Sequence, residues 1–164
     1  MRYKTTYQSP VGTLHLAADE QALTGIWYQG SAHFCAGLDP DAQEYSSQIF
    51  ADTAAWLDAY FAREALPQMP PLRLIGSEFQ LQVWALLQEI PYGQSVTYGE
   101  LAKEVACIRG MEKMSAQAVG GAVGRNRISI LVPCHRVVGA QGKLTGYAGG
   151  MDRKEFLLAL EAGK

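Results

Sequence analysis

The sequence predicts an α/β protein: an N-terminal sheet with one helix, then a mostly helical C-terminal domain containing a helix-turn-helix. Three observations lead there. The first thirty residues hold short stretches rich in Thr, Tyr and alternating apolar side chains. Residues 46–63 repeat their apolar side chains at helical spacing. Beyond Pro67, Pro70 and Pro71 the patterns are short and helical, punctuated by glycine and serine. The proline cluster divides residues 1–72 from residues 73–164, which are expected to form separate domains.

Tyr3 to Tyr7 and Thr13 to Ala17 read as strands, and the turn Ser9-Pro10-Val11-Gly12 joins them into a hairpin. Leu23 to Tyr28 reads as a third strand. Residues 30–45 read as loop, with Gly37, Asp39, Pro40 and Asp41. In the helix expected from Ser46 to Arg63, one face carries Ile49, Phe50, Thr53, Trp56, Leu57, Tyr60 and Phe61. Ser77 is placed to cap a second helix, with Phe79, Val83, Trp84 and Leu87 as its buried stripe. Pro91-Tyr92-Gly93 ends it. Thr97 and Glu100 have the spacing of a capping box and start a helix running to about Ala106. Cys107 to Met114 is a connector containing Gly110. Ser115 then caps a helix of small residues, Ala116 to Val123.

Two short helices joined by a connector suggest a helix-turn-helix, although this connector exceeds the usual three or four residues. The bareness of the second helix admits two readings, tight packing in a core or close approach to a partner. Ile128 to Val132 reads as a short buried strand delivering Pro133-Cys134-His135-Arg136. Gly139, Gly142, Gly146, Gly149 and Gly150 mark a loop. Asp152 is placed to cap a last helix, Lys154 to Glu161. Trp27, Trp56 and Trp84 lie on apolar faces and are expected in the core.

The chain has 164 residues, a net charge of −2, 48% hydrophobic and 18% charged residues. That balance excludes disorder and suffices for a core without metal or disulfide staples. No apolar run approaches the length of a membrane span. Met1 to Tyr7 lacks the apolar stretch of a signal peptide, so a cytoplasmic location is expected. Residues 1–77 carry 4 basic and 8 acidic side chains, residues 78–164 carry 10 and 8. Lys103, Arg109, Lys113, Arg125, Arg127 and Arg136 make residues 98–136 locally basic. This stretch is either a solvated surface or a footprint for phosphates.

The three cysteines, Cys35, Cys107 and Cys134, form neither a disulfide framework nor a CxxC metal motif. Cys35 and Cys107 read as incidental, and His15 and His33 show no partner pattern. Cys134 differs. It follows an apolar segment and a proline and directly precedes His135 and Arg136. A thiol reacts as its thiolate, and a neighbouring imidazole could take the proton through a water if a carboxylate orients it. A buried structural cysteine beside a surface histidine is the plainer alternative.

Pro133-Cys134-His135-Arg136-Val137-Val138 resembles the acceptor motif of the O6-alkylguanine-DNA alkyltransferases, proteins of direct-reversal repair. Asn126, eight residues before the cysteine, matches that family's hinge asparagine. Gly146-Tyr147-Ala148-Gly149-Gly150 resembles its active-site loop, Lys154 to Glu161 its terminal helix, and Thr97 to Ala102 its first DNA-binding helix. The resemblance is specific over residues 77–163 and looser over 1–70, where it implies a ribonuclease-H-like sheet plus helix.

The resemblance implies that Cys134 accepts the alkyl group irreversibly from O6-alkylguanine, and from O4-alkylthymine, one turnover per molecule. It implies that His135 reaches the thiol through a water, that Glu161 orients His135, and that Asn126 braces the turn. Tyr98 would abut the target phosphate and hydrogen-bond the flipped base. The carbonyls of Val132 and Cys134 would read the guanine amino group, with Tyr147 and Ala148 around the alkyl group and O6. Tyr98, Ala116, Gln117, Ala118, Gly120 and Arg136 would meet double-stranded DNA through the minor groove. The family implies a monomer with no cofactor and no metal. Gln117 stands where the family usually inserts an arginine into the gap left by the flipped base, and Arg127 where proline is common. The competing readings are a cysteine hydrolase using Cys134, His135 and Glu161, which would turn over, and a noncatalytic binder of alkylated DNA, a class that replaces the acceptor cysteine.

Overall fold

The computed structural model describes residues 3–163. The chain divides into two compact units, one built from residues up to Ile75 plus Arg127–Ser129, the other from Gly76–Asn126 plus residues from Ile130 onward. Among the described residues no helix is long and apolar enough to cross a membrane.

In the first unit β1 (Tyr3–Ser9), β2 (Gly12–Ala18), β3 (Leu23–Tyr28) and β4 (Gln43–Glu44) form one sheet in the order β3-β2-β1-β4. The expected hairpin is present, closing with Ser9 opposite Gly12. Gly12 has φ 105°, a conformation an L side chain resists, which is why glycine ends this turn. The two-residue β4 was read as loop from sequence; it pairs parallel with β1 at Tyr3 and Lys4. Every residue of β3 is buried. Gly25 has no side chain because the Trp27 ring occupies that space, and a Cβ would collide with it.

Helix α1 (Gln48–Ala62) starts at Ser47, whose hydroxyl accepts from the Phe50 N–H. Phe50, Thr53, Trp56, Leu57 and Tyr60 are buried, as their spacing required. Leu14, Leu16, Leu23 and Leu57 are at most 2% exposed. Burying each contributes roughly 1.5–3 kcal/mol before the entropy of ordering is counted. The proline-rich stretch ends against the sheet: Leu23 donates to Pro71 and Arg73 donates back to Leu23. Residues 127–129 also belong here, with Ile26 donating to Arg127 and Ser129 donating to Ile26.

The second unit holds α2 (Glu78–Gln88), β5 (Val96–Thr97), α3 (Tyr98–Ile108), α4 (Ala116–Gly124), β6 (Val137–Val138) and α5 (Met151–Glu161). Ser77 and Gln80 form a reciprocal capping box on α2. Val83, Trp84 and Leu87 are buried, whereas Phe79 is only half-buried, under the Arg109 guanidinium. The Trp84 indole N–H donates to Ala122 at 2.8 Å, tying α2 to α4.

Local expectations needed three further adjustments. Thr97 caps α3, but the Glu100 carboxylate accepts from the Thr97 hydroxyl, so the box is only half made. Helix α3 runs two residues past Ala106. Helix α5 starts at Met151, and its N-cap is Gly150 at φ 96°; Asp152 lies inside the first turn, where its charge faces the positive helix end.

Candidate active site

After α4 the chain was expected to run as a strand from Ile128 to Val132. It turns instead. Ile128 makes one bridge to Ile26, and Ile130 adopts a left-handed φ of 72°. Pro133, at φ −81° and ψ 64°, forms an inverse γ-turn in which the Val132 carbonyl accepts from the Cys134 N–H at 2.8 Å. A left-handed residue and a proline without N–H cannot sustain a ladder. The whole segment is nevertheless buried, which is why its apolar run resembled a strand. Cys134, His135 and Arg136 then form one 3-10 turn, and Val137 and Val138 pair parallel with Val96 and Thr97.

This turn stacks three polar side chains inside the unit. Asn126 donates its amide to the Val132 carbonyl at 2.9 Å and to the Cys134 sulfur at 3.2 Å. The Val132 carbonyl therefore already accepts two bonds. His135 is fully buried, with Nε2 2.6 Å from Glu161 Oε2. Arg136 holds the same carboxylate with two donors, Nε at 2.8 Å and Nη2 at 3.1 Å, and gives Nη1 to Ile90 O at 2.7 Å. A carboxylate held by a guanidinium only accepts, so His135 donates from Nε2 and its basic lone pair lies on Nδ1.

Burial sets the protonation states. It pushes the His135 imidazole below its usual value, against the pull of Glu161, and so keeps the ring neutral. Burial also pushes the Cys134 thiol up, while bonds from Asn126 and Tyr147 and the charge of Lys154 oppose it. The resting sulfur is held as a thiol beside a neutral base. Tyr98, the first residue of α3, has its phenol raised by burial and by the neighbouring sulfur, so it stays protonated. Its hydroxyl lies 3.4 Å from Gly146 O. Lys154 is fully buried and donates to Val137 O at 2.5 Å and Thr145 O at 3.0 Å.

Comparison with known proteins places this arrangement. Residues 78–163 match the 6-O-methylguanine DNA methyltransferase, DNA binding domain model, and residues 2–74 match the ribonuclease-like domain model of the same family. The chain belongs to the 6-O-methylguanine DNA methyltransferases. It is 45% identical over 163 residues to a methylated-DNA–protein-cysteine methyltransferase of Methanosarcina acetivorans, covering 97% of both chains. It is 41% identical over 166 residues to the one from Mycobacterium tuberculosis, covering 100% of this chain and 94% of that one. The crystal structure of Mycobacterium tuberculosis OGT in complex with DNA superposes with a TM-score of 0.84 at 39% identity, covering 98% of this chain and 93% of that one. The family resemblance and the α/β fold expected from the sequence both hold.

In this methyltransferase, Asn126, Val132 and Cys134 form one bonded group, His135, Arg136 and Glu161 form a second that follows it directly along the chain, and Tyr98, Tyr147 and Ala148 lie on α3 and the loop nearby. Ala116, Gln117 and Ala118 are exposed on α4 and Gly120 is half-exposed, so this face does not serve the core. Arg136 requires a correction. It was expected at the DNA, but it is 8% exposed and its guanidinium is committed to Glu161 and Ile90. It cannot reach a phosphate without abandoning a buried carboxylate, and the basic footprint loses one charge. Sequence reasoning gave Lys154 no role. The available signal was a charged residue on the buried stripe of α5, in line with Leu157, Leu160 and Glu161.

Proposed function

We propose that this protein repairs alkylated DNA by transferring the alkyl group of O6-alkylguanine, and of O4-alkylthymine, to its own Cys134. The observation that carries the reading is the bonded Cys134 cluster within a family of methylated-DNA–protein-cysteine methyltransferases. Attack at a saturated carbon calls for a soft, strong nucleophile, which a thiolate supplies. His135 Nδ1 takes the thiol proton through a water, and Glu161, braced by Arg136, stabilises the imidazolium that results. The sulfur–carbon bond forms as the carbon–O6 bond breaks. The electron pair of that bond goes to guanine, and the protonated Tyr98 phenol supplies a hydrogen bond or proton to the leaving base. The product thioether carries no acyl group for water to attack, so each molecule acts once and needs no cofactor. Asn126 braces the sulfur. A guanine amino group would meet the free lone pair of the Cys134 carbonyl and share the doubly bonded Val132 carbonyl. Tyr147 and Ala148 would surround the alkyl group and O6.

The target atom lies inside the duplex stack, so the nucleotide has to be flipped out at a few kcal/mol. Helix α4 would enter the minor groove with its bare face, Ala116, Ala118 and Gly120, while Gln117 fills the gap. We take residues 73–164 as the part that binds DNA and accepts the alkyl group, and residues 1–72 as supporting. One chain supplies every proposed group, which favours a monomer, and a DNA substrate favours the cytoplasm. Incubation with a duplex containing O6-methylguanine should add one methyl mass, on the Cys134 peptide, and Cys134→Ser should bind the duplex and transfer nothing. Repeated turnover by one molecule would overturn the reading in favour of a cysteine hydrolase.

A further inference from the structure

We propose that Lys154 is a positioning residue of the transfer reaction: its buried ammonium straps the segment carrying Tyr147 beside Cys134 and is the counter-charge for the Cys134 thiolate. The proposal rests on the reading of Cys134 as the acceptor.

Lysine is almost never fully buried unless paired, yet Lys154 has no exposed surface. Its ammonium donates to two carbonyls from separate segments, Val137 just after the 3-10 turn and Thr145 in the glycine-rich loop. It also lies 5.7 Å from the Tyr98 ring centre and 6.0 Å from that of Tyr147. Tyr147 bonds to the Cys134 sulfur, and the Tyr98 phenol is raised by it. Among the described residues no carboxylate lies within ion-pair distance of Lys154; Glu161 is held by His135 and Arg136.

The buried charged groups of this site are therefore two cations, Arg136 and Lys154, and one anion, Glu161, beside a neutral His135. One positive charge is in excess while Cys134 is a thiol, the excess remains while His135 holds the thiol proton, and it vanishes once that proton has left for solvent. The coupling is mutual: Lys154 favours the thiolate, and the thiolate is the charge that favours the ammonium against its own burial. Tyr98 from α3, Tyr147 from the loop, and His135 and Arg136 from the turn are the other titratable or charged groups around this pair. None of them carries a negative charge that could replace the sulfur's.

Methylation removes that negative charge for good. The thioether leaves Lys154 facing two rings and two carbonyls with no anion, so the loop strap should weaken in the spent protein.

The full-length protein tests this through the pH dependence of Cys134 alkylation by iodoacetamide, read on the Cys134 peptide by mass spectrometry so that Cys35 and Cys107 do not interfere. Lys154→Met should move the midpoint up by about one pH unit or more, the usual effect of removing a close opposite charge. Lys154→Arg, which keeps the charge, should recover most of the shift. A purely structural role would lower the rate at every pH and leave the midpoint in place, and that result overturns the proposal. Should Lys154→Met not fold, Lys154→Gln keeps amide donors for the two carbonyls and makes the same comparison. The unaltered protein gives an independent reading. With carbon-labelled lysine, the NMR titration of Lys154 should fall to lower pH after Cys134 is methylated, and an unmoved titration refutes the counter-charge. A methyl group found on a peptide other than that of Cys134 would sink the acceptor reading alone, since the iodoacetamide profile still reports on Lys154.

Discussion

Glu161 accepts from His135, Arg136 and the Gly93 N–H at once, and that decides what its loss should do. Its carboxylate keeps His135 in one tautomer and neutralises the buried Arg136. Glu161→Gln retains one acceptor oxygen but not the charge. Transfer from duplex DNA in single-turnover experiments should slow by roughly 10²–10⁴-fold, the usual worth of acid–base assistance. Duplex affinity should hardly change, because the site is buried away from the α4 surface. The variant should also melt lower, since a buried guanidinium loses its partner. Gln117 is the other residue whose role can be isolated. It is exposed near the start of α4 and bonded to Ser115 only through its backbone N–H. Gln117→Ala should slow repair of duplex DNA while leaving the reaction with free O6-benzylguanine unchanged, because only the duplex needs a gap filled. Gln117→Arg should tighten duplex binding and make it more sensitive to salt. Equal losses on both substrates after Gln117→Ala would assign the side chain to protein packing.

Helix α4 is the element whose composition conflicts most with its conformation. Gly120, Gly121 and Gly124 each weaken a helix by roughly 0.5–1 kcal/mol relative to alanine. Its hold on the fold comes from Ser115, which accepts from the N–H groups of Gln117 and Ala118, from the Trp84 bond to Ala122, and from buried Val119, Ala122 and Val123. A Cβ at Gly121 would meet nothing within 4 Å. Gly121→Ala should therefore raise unfolding stability by about 0.5–1 kcal/mol in urea titrations. The reaction with free O6-benzylguanine should be unaffected and duplex repair slowed. Faster or unchanged duplex repair would mean that the glycine is not there for close approach. Of the two readings the sequence left open, close packing in a core fails for the residues on the exposed face.

At the scale of the whole molecule, the site shapes how stability responds to acid. The folded state holds His135 neutral by burial, whereas in the unfolded chain it titrates near about 6.5. Below that value the unfolded chain binds the proton and the folded protein refuses it, so stability falls with falling pH. The loss continues until the pH passes below the depressed folded value. Unfolding free energy measured from pH 8 to pH 5 should decline through this window, and His135→Asn should flatten the decline. A slope identical in both proteins would place the acid sensitivity elsewhere.

The sequence alone determined most of what depends on near neighbours along the chain, with the cap of α5 and the Thr97–Glu100 box as exceptions. Thr and Tyr content marked β1, alternation of side chains marked β2, helical spacing marked α1 and α2, and Ser77, Thr97 and Ser115 cap helices where their hydroxyls predicted, because an N-cap acts on an N–H only two or three residues away. The motif from Pro133 to Val138 was legible through its resemblance to the family, although its partners Asn126 and Glu161 come from 8 and 26 residues away. Only the tertiary structure decided where long polar side chains end. Arg136 had the composition of a phosphate ligand, but its partners, Glu161 and Ile90, are 25 and 46 residues away. Lys154 had no role in the sequence reading, and α5 turns it inward onto Val137 and Thr145. The two-residue strands and the turn at Ile130 escaped prediction for the same reason: each is too short for its own pattern to specify it and exists because a distant segment supplies its hydrogen bonds or its cover.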